Sequence, residues 1–122
     1  MRTNDLKKLI EAQLKTLTTN VYHEVAKTNA MYPHIVYSFE RLELGDLSRQ
    51  DYILTLDIWD KSTSTTRVDD LADSVENLLQ GANLPQKNVL PTFYLIDRKN
   101  ILDQDKQIRH RVVRFQIQNY ER

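Results

Sequence analysis

The sequence predicts a two-layer α+β domain in which two helices pack on one face of a mainly antiparallel sheet, in the order αβββαββ. Three observations carry this. Leu6, Leu9, Ile10, Leu14 and Leu17 recur at three- and four-residue steps, as do Val68, Leu71, Ala72, Val75, Leu78 and Leu79, so each set forms one stripe of a helix. Other segments alternate apolar and polar residues with the period of a strand. The connections between consecutive strands are short, which favours antiparallel neighbours, and two one-faced helices are most simply buried on the same side of a sheet.

The first helix is read from about Asn4 to Leu17, with Thr3 or Asn4 as its N-cap, Asp5 favourable to the positive end of its dipole, and Thr18-Thr19-Asn20 as its exit. Val21 to Val25 is a short strand candidate. A polar stretch then leads to Tyr32-Pro33, where proline disfavours helix in the residue before it, and His34 to Glu40 follows as a β-branched and aromatic strand. Gly45-Asp46 falls in the turn after it. Gln50 to Trp59 is the clearest strand: Tyr52, Leu54, Leu56 and Ile58 share one face, and Ile53, Thr55, Asp57 and Trp59 the other. Ser62 to Thr66 offers several N-caps for the second helix, which runs to Gly81, a residue suited to the left-handed position past a helix end. After Asn83-Leu84-Pro85, Thr92 to Ile96 reads as a fourth strand entering a polar hairpin over Asn100 to Lys106. A last strand runs from Ile108 to about Asn119. On it Val113, Phe115 and Ile117 share a face led by Arg109 and Arg111, while His110, Val112, Arg114 and Gln116 alternate opposite.

With 122 residues, no repeat and no Pro/Gly/Ser linker, residues 1–122 are expected to form a single domain. Hydrophobic residues make up 40% and charged residues 28%, enough apolar matter for a core and too mixed in sign for a disordered charged tail. Lys plus Arg and Asp plus Glu both number 17, so the basic excess of a general nucleic-acid binder is missing. The chain has no cysteine, which excludes disulfides, thiolate nucleophiles and Cys-ligated zinc. Met1 to Lys8 lacks the apolar stretch of a signal peptide, and charged residues interrupt every hydrophobic run, so neither secretion by that route nor a membrane span is expected.

Chemical motifs are sparse. A Gly-rich phosphate loop and a GxSxG elbow could hardly be built from two glycines, and HExxH is missing. His23, His34 and His110 are spread over separate strands, without a carboxylate at the helical spacing of a metal motif. Asp69, Asp70, Asp73 and Glu76 lie off the apolar stripe of the second helix and are read as a solvated face. Asp103 and Asp105 suit turn chemistry in the hairpin, and a calcium loop there would need more oxygen ligands and a glycine. Charge is uneven along the chain: from Arg98 onward seven basic residues face three acidic ones, a net +4, which leaves −4 on the first 97 residues. Such asymmetry fits a surface that meets an acidic partner or another copy, and it equally fits solvated strand faces. Trp59 falls on the strand face opposite the predicted helices. It is there either a contact residue or a ring folded under a loop, and Tyr32 beside Pro33 is either a contact or local packing.

The pattern as a whole resembles the small tail-completion, or tail terminator, proteins of long-tailed bacteriophages. The residues that carry the resemblance are the leading amphipathic helix, Tyr32-Pro33, the strand Asp51 to Asp60 with its Ile58-Trp59-Asp60 end, the helix through Val68 to Val75 with Leu71-Ala72-Asp73, and the closing strand Arg109 to Phe115. The resemblance implies a non-enzymatic virion part without a cofactor. Copies would form a ring, a hexamer, on the head-proximal end of the tail tube, stop its polymerisation and join the tail to the head. The implied partners are other copies, the tail tube protein and a head-completion or connector protein, in the virion and, during assembly, the host cytoplasm. No membrane and no sequence-specific nucleic acid are implied. Tyr32, Trp59, Arg98, Arg109 and Arg111 are the candidate interface residues, Arg98 as part of the C-terminal basic excess and Arg109 and Arg111 because strand-end charges are expected at the surface. The alternatives are a head-side connector or head-completion neck protein and, from a different class, a small host ligand-binding or enzymatic α+β domain.

Overall fold

The computed structural model describes residues 2–42, 49–85 and 89–121. Along the chain they form α1 (Arg2–Leu14), β1 (Val21–His23), β2 (His34–Leu42), β3 (Arg49–Lys61), α2 (Thr66–Leu79), β4 (Val89–Leu102) and β5 (Ile108–Glu121). The five strands make one sheet in the order β1-β2-β3-β5-β4. All neighbours are antiparallel except β1 and β2, which are parallel. The predicted αβββαββ order and two-layer α+β class are those observed.

Alternation along each strand divides the sheet into a covered face and an open face. Tyr52, Leu54, Leu56 and Ile58 of β3, Val113, Phe115 and Ile117 of β5, Ile35 and Tyr37 of β2 and Phe93 of β4 are buried on the covered face. Leu6, Ile10 and Leu14 of α1 and Val68, Leu71, Ala72, Val75 and Leu79 of α2 close the same core. Burying a side chain the size of Leu or Phe contributes on the order of 1.5–3 kcal/mol, and these stripes are what hold both helices down. The core also takes in one polar link: the Tyr37 hydroxyl donates to Glu11 Oε2 of α1 at 2.7 Å.

Local chemistry explains where the elements depart from expectation. The helix α1 begins at Arg2, so Thr3 and Asn4 are helical rather than capping. It ends at Leu14, and Thr16 and Leu17 continue as a tighter turn, bonding to the carbonyls of Gln13 and Leu14. The strand expected over Val21 to Val25 stops at His23. There Glu24 takes φ +65° and the Val25 N–H closes onto the His23 carbonyl at 2.7 Å, a γ-turn that reverses the chain. Residues 24–33 then lead back to the start of β2, which is why β1 and β2 run parallel.

The second helix ends as expected, with Gly81 at φ +71°, and its N–H donates to the Phe93 carbonyl. At its start Thr65 makes no side-chain cap bond; the Ser64 hydroxyl accepts the Thr66 N–H instead. The turn expected at Gly45-Asp46 lies outside the described residues. The strand β4 is far longer than the expected Thr92 to Ile96, because it pairs with β5 as far as Leu102 opposite Arg109. Its pattern is broken by a bulge between Leu95 and Asp97. Phe93 and Leu95 belong to the covered face, Ile96 is the extra residue, and Asp97 faces Arg114 on the open face. The shift turns Arg98 toward α2.

Candidate functional site

The five residues singled out from sequence fall into two separate places. Three arginines serve the fold itself. Arg98, delivered by the bulge, bonds Glu76 Oε2 at 2.8 Å, Asp69 Oδ1 at 3.1 Å and Asp73 through the same guanidinium. Arg111 donates from Nε to the same Asp69 oxygen at 2.7 Å and is only 7% exposed. Asp69 is held below the usual aspartate range, first by its hydrogen bond from Arg111 and then by the charges of Arg111 and Arg98. Arg109 reaches the carbonyls of Ser62 and Thr63 at 3.2 and 2.9 Å, fastening the loop that leads into α2.

The expectation that these strand-end charges lie at the surface is therefore corrected for Arg111, which is buried, while the Arg98 guanidinium is bonded to the carboxylates of α2. The acidic residues of α2 are corrected in the same way. Asp69, Asp73 and Glu76 are not simply solvated: they are the counter-charges that clamp the helix to β4 and β5. Most of the opposition between an acidic N-terminal part and a basic C-terminal part is thus met within one chain. Arg114 follows the same rule, in a two-pronged pair with Asp97 at 2.9 and 2.8 Å.

Tyr32 and Trp59 come together elsewhere, on the open face. Register sets His34 opposite Trp59, Trp59 opposite His110 and His110 opposite Ile101, so a row of largely aromatic side chains crosses four strands at one end of the sheet. The Trp59 indole stacks on the His110 imidazole with centroids 3.7 Å apart and planes at 13°. Beneath it His110 Nε2 lies 2.7 Å from Asp57 Oδ1. The Tyr32 ring lies 5.1 Å from that of His34, whose Nδ1 faces the Met31 carbonyl at 3.2 Å. Burial holds the His34 imidazole below the ordinary histidine range, with the Met31 contact opposing.

The segment following β1 runs beside this row and encloses with it a cleft of about 540 Å³, bordered by Glu24, Val25, Lys27, Tyr32, Asp57 and Trp59 among others. Trp59 sits on the open face, and one side of it borders the cleft under the 24–32 segment. His110 and Asp57 were passed over in sequence. Their only signal there was the shared strand parity with Trp59, and pairing register was needed to bring them together.

The cleft offers rings, short aliphatic side chains and two carboxylates against one lysine. Among the described residues no group of three or more His, Asp or Glu side chains could hold a metal ion. No described helix is long and apolar enough to cross a membrane. What the open face can do chemically is pack against, and hydrogen-bond to, another surface.

Comparison with known proteins bears on what that surface is. The fold is similar to a solved chain from the virion of a native gene transfer agent (GTA) particle, with a TM-score of 0.71 over 88% of this chain and 84% of that one at 12% identity. No curated protein sequence matches the chain. Residues 6–118, from the first buried leucine of α1 to within three residues of the end of β5, match the family described as Tail completion protein gp17. The chain belongs to that tail completion family, and with it takes a structural role in a phage tail.

Proposed function

We propose that copies of this chain assemble as a ring, a hexamer, on the head-proximal end of the tail tube, end its polymerisation and join the tail to the head connector. The observation that carries the reading is the family match over residues 6–118, which spans β1 to β4 and α2 entire and most of α1 and β5. Its partners would be other copies, the tail tube protein and a head-completion or connector protein, and its place the virion after assembly in the host cytoplasm. The role needs no catalytic residue and no cofactor.

The geometry supports an assembly part in a specific way. A ring made from one repeated contact is heterologous, so each subunit must carry two different complementary surfaces. The charge division along the chain does not supply them, because it is largely spent inside the fold. The open face does offer contact area. Trp59 and Tyr32 border a cleft at one lateral side of the sheet, and the edge strand β4 exposes Ile96, Ile101 and Leu102 at the other.

The reading is tested by deleting the coding sequence from its phage and viewing the lysate by electron microscopy. Full heads beside separate tails of uncontrolled length are expected. Tails of normal length beside emptied heads would move the protein to the head side of the neck, and intact infectious virions would overturn a structural role.

A further inference from the structure

Trp59 has two ring faces, and the chain uses one of them. His110 covers that face with its own ring nearly parallel, and the stack runs across the strands from β5 to β3. The other face therefore looks toward β2 and the cleft, where Tyr32 stands on the rim beside His34. A flat indole face backed by a second ring and opening on a cleft of about 540 Å³ is a site for a planar or cationic group.

The charges around the cleft give the sign of that group. Glu24 and Asp57 border it against Lys27. Asp57 spends Oδ1 on His110, and among the described residues nothing meets its Oδ2. Glu24 has the His23 ring at 3.8 Å, and 69% of its side chain is exposed. Its backbone sits in the left-handed region at φ +65°, which glycine or asparagine would fill more easily, so the γ-turn alone does not account for a glutamate there. His34 adds no positive charge near neutral pH, because burial holds its imidazole below the ordinary range. Carboxylates beside a ring face select a cation. A guanidinium suits both parts of the site, since it is planar and weakly hydrated, stacks on aromatic faces and donates to carboxylates in its own plane.

We propose that the cleft between Trp59, Tyr32 and Glu24 receives an arginine side chain of a partner protein, stacked on the free face of the indole and donating to the carboxylates that border the cleft. The partner is a different protein rather than a second copy. Among the described side chains every arginine is already engaged: those of β4 and β5 as set out above, Arg49 and Arg67 with Asp51 and Asp60, and Arg41 as well. Val25 and Met31, 77% and 69% exposed beside the cleft, are placed to meet apolar residues flanking the incoming arginine. The proposal does not rest on the ring reading, because it gives the cleft to a different protein whatever the number of copies.

Trp59 is the one tryptophan of the chain, so its fluorescence reads the cleft directly. The full chain is titrated with the capped tripeptide Val-Arg-Val and with the same peptide carrying citrulline, lysine or norleucine in place of arginine. The arginine peptide is expected to change the emission saturably, and citrulline, close to the same shape without the charge, to bind about tenfold more weakly. Glu24→Gln should weaken the arginine peptide about threefold and Lys27→Gln should tighten it by about as much, with melting temperatures unchanged because both side chains are exposed. The absence of a saturable change with the arginine peptide overturns the proposal. So does equal binding of the citrulline or norleucine peptide, which would make the cleft a merely apolar groove, and so does equal binding of the lysine peptide, which would remove the guanidinium stack.

Discussion

The Trp59 indole lies nearly parallel to the His110 imidazole at 3.7 Å, and the same imidazole meets Asp57 through Nε2 at 2.7 Å. Stacking covers the ring from the open face, while the carboxylate fixes its orientation in the plane. This explains how a histidine on a face free of helices is only 8% exposed. A double-mutant cycle with Trp59→Ala and His110→Ala should show a favourable coupling of about 0.5–1.5 kcal/mol in urea denaturation. His110→Phe should keep most of that coupling and lose about 1 kcal/mol through the missing partner of Asp57. Zero coupling would mean that the two rings are merely adjacent.

Arg109 and Arg111 share a strand face, yet their substitutions should behave differently. Arg111 is buried against Asp69, so Arg111→Glu places a carboxylate beside another carboxylate with little water to separate them. It should destabilise the protein by about 3 kcal/mol or more. Arg109→Glu removes two bonds to loop carbonyls from a more accessible position, at a cost of about 1 kcal/mol. Thermal unfolding by circular dichroism would rank the two. Equal melting temperatures would show that the clamp on α2 does not depend on Arg111.

These arginines also show what could be read from the amino acids and what could not. Alternation along Ile108 to Asn119 correctly places Arg109 and Arg111 on the face of Val113, Phe115 and Ile117, and the stripe Val68 to Leu79 correctly gives the buried side of α2. Both are local periodicities, visible wherever a chain repeats. That Asp69 lies over Arg111 is a relation between elements 42 residues apart, and no local period encodes it. Arg98 was less legible still, because its face depends on a single extra residue, Ile96, in a strand whose polar second half hides its alternation. At the open face the same limit applies. Trp59 could be assigned a side, but the neighbours that make it part of a cleft come from β2 and from the 24–32 segment.

Acid should unfold this protein through a few named carboxylates. Asp51, whose side chain is fully buried, is held below the ordinary 3.8 chiefly by its two-pronged hydrogen bond from Arg49, with Gln116 adding a further donor. Asp69 is lowered first by Arg111, and Glu11 is lowered first by the Tyr37 hydroxyl. In each case the unfolded chain binds a proton at a pH where the native chain does not, so unfolding takes up protons and stability falls as pH falls. The contribution is fully present above the ordinary carboxylate values and is lost below them, as pH passes down through the lowered native values. Urea midpoints should therefore stay level in respect of these groups between about pH 7 and pH 5 and drop steeply below about pH 4. Asp51→Asn should lower the midpoint at neutral pH and flatten the acid slope. An unchanged slope in that variant would mean Asp51 does not report on folding.

The bulge makes a last, less intuitive prediction. Ile96 is the extra residue between Leu95 on the covered face and Asp97 on the open face. Deleting it places Asp97 directly after Leu95, where ordinary alternation already sends the next side chain to the open face. Asp97 would still meet Arg114, and Arg98 would still meet the carboxylates of α2. Deleting Leu95 instead carries Ile96 into its place, so that chain differs from the Ile96 deletion only by isoleucine in place of leucine at the same core position, with the bulge lost in both. Both deletions should therefore fold with a loss of about 1–2 kcal/mol and lie within about 1.5 kcal/mol of each other. In the Ile96 deletion, Arg98→Ala should cost as much as it does in the parent chain, which denaturant titration of the four proteins can read. If Arg98→Ala became neutral in that background, the arginine would have left α2, and the parity argument for how β4 aims it would be wrong.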